Sequence, residues 1–125
     1  MERTHIMQNL ALVIEDDLDL SEIFSKALQT AGFEVETIRD GRIAHKRLGE
    51  VFPSLVVLDL HLPYVNGSTL LNQIRSNKSM ANTKVIITTA DNVQAELYQD
   101  QATIVMVKPI SFSQLRDISA RLRAA

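Results

Sequence analysis

Four short apolar runs recur along the chain, separated by helical patterns, and this alternation limits the fold more than any other feature. The runs are Leu10–Ile14 (LALVI), Leu55–Leu58 (LVVL), Val85–Thr88 (VIIT) and Ile104–Val107 (IVMV). Each is rich in β-branched residues and none strictly alternates apolar with polar, as expected of strands covered on both faces of a parallel sheet. A fifth segment, Glu34–Ile38 (EVETI), does alternate and reads as a half-exposed edge strand.

The intervening segments have helical spacing. Leu20, Ile23, Phe24, Ala27, Leu28 and Ala31 form one amphipathic stripe. Asp19 and Glu22 fit a capping box at its start, and Gly32 a stop at its end. Gly41–Leu48, Ser68–Ile74, Asn92–Tyr98 and Phe112–Leu122 complete the set, the last with Phe112, Leu115, Ile118 and Leu122 facing inward. Five strands alternating with five helices predict an α/β fold: a doubly wound parallel sheet with right-handed crossovers, in three layers.

A chain of 125 residues holds one such domain, expected over 10–125 behind a tail at 1–9. The net charge of −2 gives no basic surface for nucleic acid. With no cysteine, disulfides and thiolate chemistry are excluded. No apolar run is long enough for a membrane span and MERTHIMQN lacks a signal-peptide core, so a cytoplasmic location is expected.

In open sheets of this kind, chemistry sits beyond the carboxyl ends of the strands. The residues there are Glu15, Asp16 and Asp17 after the first run, Asp59, His61 and Pro63 after the third, Thr88, Thr89 and Asp91 after the fourth, and Lys108 and Pro109 after the fifth. Two carboxylates about 5 Å apart repel by roughly 3 kcal/mol at an effective dielectric near 20. Glu15, Asp16 and Asp59 on one edge therefore call for raised pKa values or a cation. All-oxygen ligands select a hard ion such as Mg²⁺, which also accepts phosphate oxygens. A carboxylate nucleophile, a metal, a hydroxyl and a lysine together make a phosphoryl-acceptor site.

The acid pair after the first strand, the lone Asp after the third, Thr-Ala after the fourth and Lys-Pro after the fifth resemble the receiver domain of bacterial two-component response regulators, over roughly Leu10 to Leu122. The resemblance implies a flavodoxin-like sandwich of strand order 2-1-3-4-5. It implies a Mg²⁺ site made by Glu15, Asp16, Asp59 and the backbone carbonyl of His61. It also implies Asp59 as phosphoacceptor, Thr89 as switch hydroxyl, Lys108 as the family's lysine and a cis Lys108–Pro109 bond. Asp17 is then left to begin the first helix. The implied partner is a histidine kinase or His-phosphotransfer protein, with an unknown output partner, and the implied catalysis is no more than self-phosphorylation from small phosphodonors and slow self-hydrolysis. His61 and Asp91 flank the phosphoryl position and would set that hydrolysis rate.

Simpler readings stand beside these. Asp59 alone reads as a turn residue, Glu15–Asp17 as a solvated helix start, Lys108 as a surface lysine, and Thr88 is a second hydroxyl beside Thr89. Leu18 reads as a hydrophobic staple or a partner contact. Arg116, Arg121 and Arg123 read as a solvated helix face or as contacts of a phosphorylation-linked homodimer.

Two departures from the family bear on output: Val105 stands where an aromatic is usual, and the span from Thr89 to Lys108 is short, with Asp100–Thr103 (DQAT) replacing Gly-Ala. They motivate a second function, a phosphorylation-independent interaction module. A haloacid-dehalogenase-like phosphatase would want an acid where His61 stands, and a dinucleotide-binding fold would want Gly-x-Gly-x-x-Gly where the acids stand.

Overall fold

The computed structural model describes residues 7–124. Its sheet has five parallel strands in the order β2-β1-β3-β4-β5: β1 Met7–Ile14, β2 Glu34–Ile38, β3 Pro53–Asp59, β4 Lys84–Thr89 and β5 Ile104–Val107. The helices are α1 Leu18–Thr30, α2 Gly41–Leu48, α3 Gly67–Ser76, α4 Asn92–Leu97 and α5 Phe112–Ala124. This is the expected doubly wound, flavodoxin-like sandwich.

Alternate residues of the central strands enter opposite layers. Leu12, Ile14, Val56, Leu58, Val85 and Ile87 pack with Ala44, Leu48, Leu70, Leu71 and Ile74 of α2 and α3. Ala11, Val13, Leu55, Val57 and Ile86 pack with Phe24, Ala27 and Leu28 of α1 and Leu115 of α5. Covering on both sides explains why these strands read as unbroken apolar runs.

Several boundaries differ from the sequence reading. β1 starts at Met7, before the apolar run, so part of the expected tail is strand; residues 1–6 lie outside the described ones. The first helix is capped by Asp17, whose carboxylate accepts from the Leu20 amide, and not by a box of Asp19 and Glu22. Asp17 has the extended backbone that a cap requires, and Asp19 is already inside the first turn. Gly32 ends the same helix with φ 105°, and Arg123 donates to its carbonyl. Ile23 is exposed although it lies on the apolar stripe, and Ser21 is buried in the inner face.

β5 departs from the expected double burial. It is an edge strand, half-buried, and Val107 is exposed. The short connection into it is held by polar contacts. Arg75 donates to the carbonyls of Thr83 and Gln101, and the Thr103 hydroxyl accepts from the Val85 amide. α4 buries none of its residues.

Candidate functional site

Strand register builds the site. Ile14 pairs with Leu58, Asp59 with Thr88, and Thr89 with Val107. The residues that follow Ile14, close β3 and follow Val107 therefore emerge at one level of one edge. These are Glu15, Asp59 and Lys108. Glu15 and Asp59 are 1% and 3% exposed, whereas Asp16 is open to solvent.

Lys108 joins the two buried acids. Its Nζ lies 2.9 Å from Glu15 Oε1 and 3.4 Å from Asp59 Oδ2. Glu15 Oε2 accepts from the Asp17 amide, and Asp59 Oδ1 accepts from the His61 amide at 3.0 Å. Burial pushes the Glu15 carboxyl up to about 7, and the nearby Asp59 charge adds to the rise, against the lowering effect of Lys108 and the Asp17 amide. Burial also pulls the Lys108 ammonium down, but its bond to Glu15 and the Asp59 charge outweigh this, so its pKa is raised. The acids thus favour the charged lysine, whereas at Glu15 burial outweighs the help of Lys108 and leaves the carboxylate incompletely compensated.

One carboxylate oxygen from each of Glu15, Asp16 and Asp59 lies within 4.8 Å of the others. At that spacing each pair repels by roughly 3 kcal/mol at an effective dielectric near 20. A hard divalent cation fits the donor set, since every donor is oxygen and the charge is in excess. His61 is exposed, and among the described residues no histidine joins the group of three acids.

The loop after β3 is fixed from beneath. Leu60 and Leu62 are buried in the α2–α3 layer, and the Gly67 amide returns to the Leu60 carbonyl. Gly67 approaches so closely that a Cβ there would stand 2.5 Å from the Asp59 carbonyl oxygen and from Leu60 Cα. The cis bond expected at Lys108–Pro109 is found.

Thr89 is buried at the same edge, but its hydroxyl engages α4. It accepts from the Asp91 amide at 3.0 Å and lies 3.5 Å from Gln94 Oε1. Asp91 in turn caps α4 through the Val93 and Gln94 amides. The Thr88 hydroxyl is buried without a partner among the described residues. Val105 is half-buried and packs against the core on the α2–α3 side of the sheet. Leu18 is exposed, and of the three arginines of α5, Arg116 pairs with Asp117 and Arg123 reaches Gly32.

Sequence reasoning missed Arg39, Arg42 and Tyr64. Arg39 donates to the Asp16 carbonyl, and Arg42 lies over the Tyr64 ring in the loop that carries His61. These contacts cross between loops, and no local pattern announces them.

Residues 11–120 match the family model of the response regulator receiver domain. Among curated proteins, the chain is 36% identical over 117 residues to the phosphate regulon transcriptional regulatory protein PhoB of Rhizobium meliloti, a match covering 90% of this chain and 52% of PhoB. It is 32% identical over 114 residues to the transcriptional regulatory protein TrcR of Mycobacterium tuberculosis, covering 90% of this chain and 43% of TrcR. The chain thus spans about half the length of these relatives. Among solved structures, the chemotaxis response regulator CheY4 of Vibrio cholerae superposes with a TM-score of 0.82 at 24% identity, covering 93% of this chain and 99% of that one. The receiver domain of the sensor histidine kinase PA1611 of Pseudomonas aeruginosa, with magnesium coordinated in its active-site cleft, gives 0.82 at 20% identity, covering 95% and 100%. At these identities the structures bear on the fold alone.

Proposed function

The chain belongs to the response regulator receiver family, and from that premise we propose that it is a phosphoacceptor switch. Receivers are signalling modules and not enzymes of the ordinary kind. The observation that carries the reading is the buried Asp59, with Lys108 at 3.4 Å and carboxylate oxygens of Glu15 and Asp16 within 4.8 Å.

An oxygen of Asp59 attacks the phosphorus of a phosphohistidine on a histidine kinase or phosphotransfer protein. A P–O bond forms as the P–N bond breaks, and the imidazole leaves. Lys108 supplies positive charge beside the incoming phosphoryl oxygens, and the Thr89 hydroxyl donates to one of them once it turns from α4. Glu15, Asp16, Asp59 and the His61 carbonyl would hold Mg²⁺, which neutralises charge on the transferred group. The all-oxygen donor set supports the choice of ion. Slow hydrolysis of the acyl phosphate resets the switch, at a rate set by the flanking His61 and Asp91.

Mg²⁺ with a small phosphodonor should add the mass of one phosphate to the intact chain, and Asp59→Asn should abolish it. Undiminished labelling of the variant would refute the assignment. A second reading, a docking module indifferent to phosphorylation, is favoured by Val105 and by the unburied α4. It requires Asp59→Asn to bind its partner as the wild type does, with and without a phosphoryl mimic.

A further inference from the structure

The segment Arg39–Asp40–Gly41–Arg42 lies between the two loops that carry the acidic cluster, and it is tied to both. On one side, Arg39 Nε donates to the Asp16 carbonyl at 3.3 Å. On the other, Gly41 meets the loop after β3 so tightly that a Cβ would stand 2.8 Å from Val65 Cβ and 2.9 Å from its carbonyl oxygen. Arg42 adds a third tie, with its guanidinium 3.8 Å from the centroid of the Tyr64 ring.

Tyr64 needs such a tie. Its φ is 71°, and the Val65 amide donates to the Pro63 carbonyl at 2.8 Å, which makes residues 63–65 a γ-turn with a bulky residue at its centre. Side chains other than glycine, asparagine and aspartate rarely hold that conformation unless their surroundings impose it. The ring is also largely exposed, so core packing is not what imposes it. Arg42 is itself oriented by Asp40, which accepts from its amide at 2.7 Å and from Nε and Nη2 at 3.3 and 2.8 Å. The same Asp40 caps α2. A capped helix start, a fixed guanidinium and a strained turn therefore form one chain of contacts.

We infer that Arg39–Arg42 is a bracket that sets the spacing of the two metal-bearing loops, with Arg39, Arg42 and Tyr64 as positioning residues for the cation. The inference rests on the metal site proposed above. Mg²⁺ demands near-ideal octahedral geometry, so a small drift of the Asp16 carbonyl against the His61 segment lowers its affinity. Buried Leu60 and Leu62 fix the near end of the second loop, and the bracket fixes its far end.

The test exploits an opposition of sign. Arginines near a cation repel it, so if these side chains act only by charge, Arg39→Gln and Arg42→Gln should tighten metal binding. The bracket requires weaker binding. Free Mn²⁺ can be counted by electron paramagnetic resonance and then displaced with Mg²⁺, while melting in chelator tracks the fold. Each glutamine variant should raise the dissociation constant about threefold, the scale of a lost cation–π contact for Arg42 and of a lost hydrogen bond for Arg39. Tyr64→Gly adopts the turn unaided, so in its background Arg42→Gln should have no further effect on the constant. A wild-type chain that takes up no Mn²⁺ overturns the metal site and the bracket together. Ordinary uptake in which the glutamine variants bind as tightly as the wild type, or tighter, overturns the bracket alone. So does an Arg42→Gln effect that persists in the Tyr64→Gly background.

Discussion

Lys108→Met removes the ammonium that faces two buried carboxylates and nearly preserves side-chain length. Glu15 and Asp59 are almost fully buried and Lys108 lies 2.9 and 3.4 Å from them, so the variant leaves buried charge without a partner. One-sided removal of this kind costs about 3–5 kcal/mol. The lower figure applies here because Glu15, pushed to about 7 by burial, can take up a proton and limit the penalty. About 3 kcal/mol in a domain of this size corresponds to a melting temperature lower by roughly 10 °C. The assay is thermal unfolding followed by circular dichroism in chelator at pH 8. Two further observations separate this cause from lost packing. The deficit should shrink near pH 5.5, where Glu15 is protonated. Mg²⁺ should also stabilise the variant more than the wild type, because the cation no longer competes with an ammonium. An unchanged melting temperature at pH 8, or a deficit equal at both pH values, would refute the electrostatic account of the edge.

The wild-type chain should also show the Glu15 proton in its own stability. A carboxyl raised from 4.5 to about 7 binds its proton more tightly when folded, so its contribution is fully present below 4.5 and is lost as pH rises through 7. In chelator, wild-type stability measured by urea unfolding should therefore fall between those values by up to roughly 3 kcal/mol relative to Glu15→Gln; parallel curves would contradict this. Gly67→Ala should cost about 3 kcal/mol, since its methyl group meets backbone at 2.5 Å and nothing flexible can yield. An unchanged urea midpoint would show that the approach of α3 to Asp59 is looser than described.

Much of this fold can be read from the chain because its strands are covered on both faces, which writes burial into unbroken apolar runs. The edge strand β2 was recognisable by its alternation. β5 was not, because IVMV is as apolar as the central strands although it lies at the other edge. Local chemistry also decided poorly between caps: Asp17 and Asp19 are equally good N-cap residues, and only backbone conformation selects Asp17. At the site, residue type and order identified Glu15, Asp16, Asp59 and Lys108 as neighbours. What could not be read was which acid the lysine prefers, since Lys108 approaches Glu15 more closely than Asp59 across a separation of 93 residues. The direction of the Thr89 hydroxyl, toward Asp91 and Gln94, was equally hidden, as was the positive φ of Tyr64.

The central claim is that Asp59, the acid pair and Lys108 form a single receptacle for a phosphoryl group and a divalent ion. Fluorine magnetic resonance with beryllium fluoride, a tetrahedral phosphoryl mimic, tests it most directly. The account predicts bound fluorine signals only when Mg²⁺ and Asp59 are both present, and their loss on adding chelator or in Asp59→Asn. Bound signals that survive either change would contradict it.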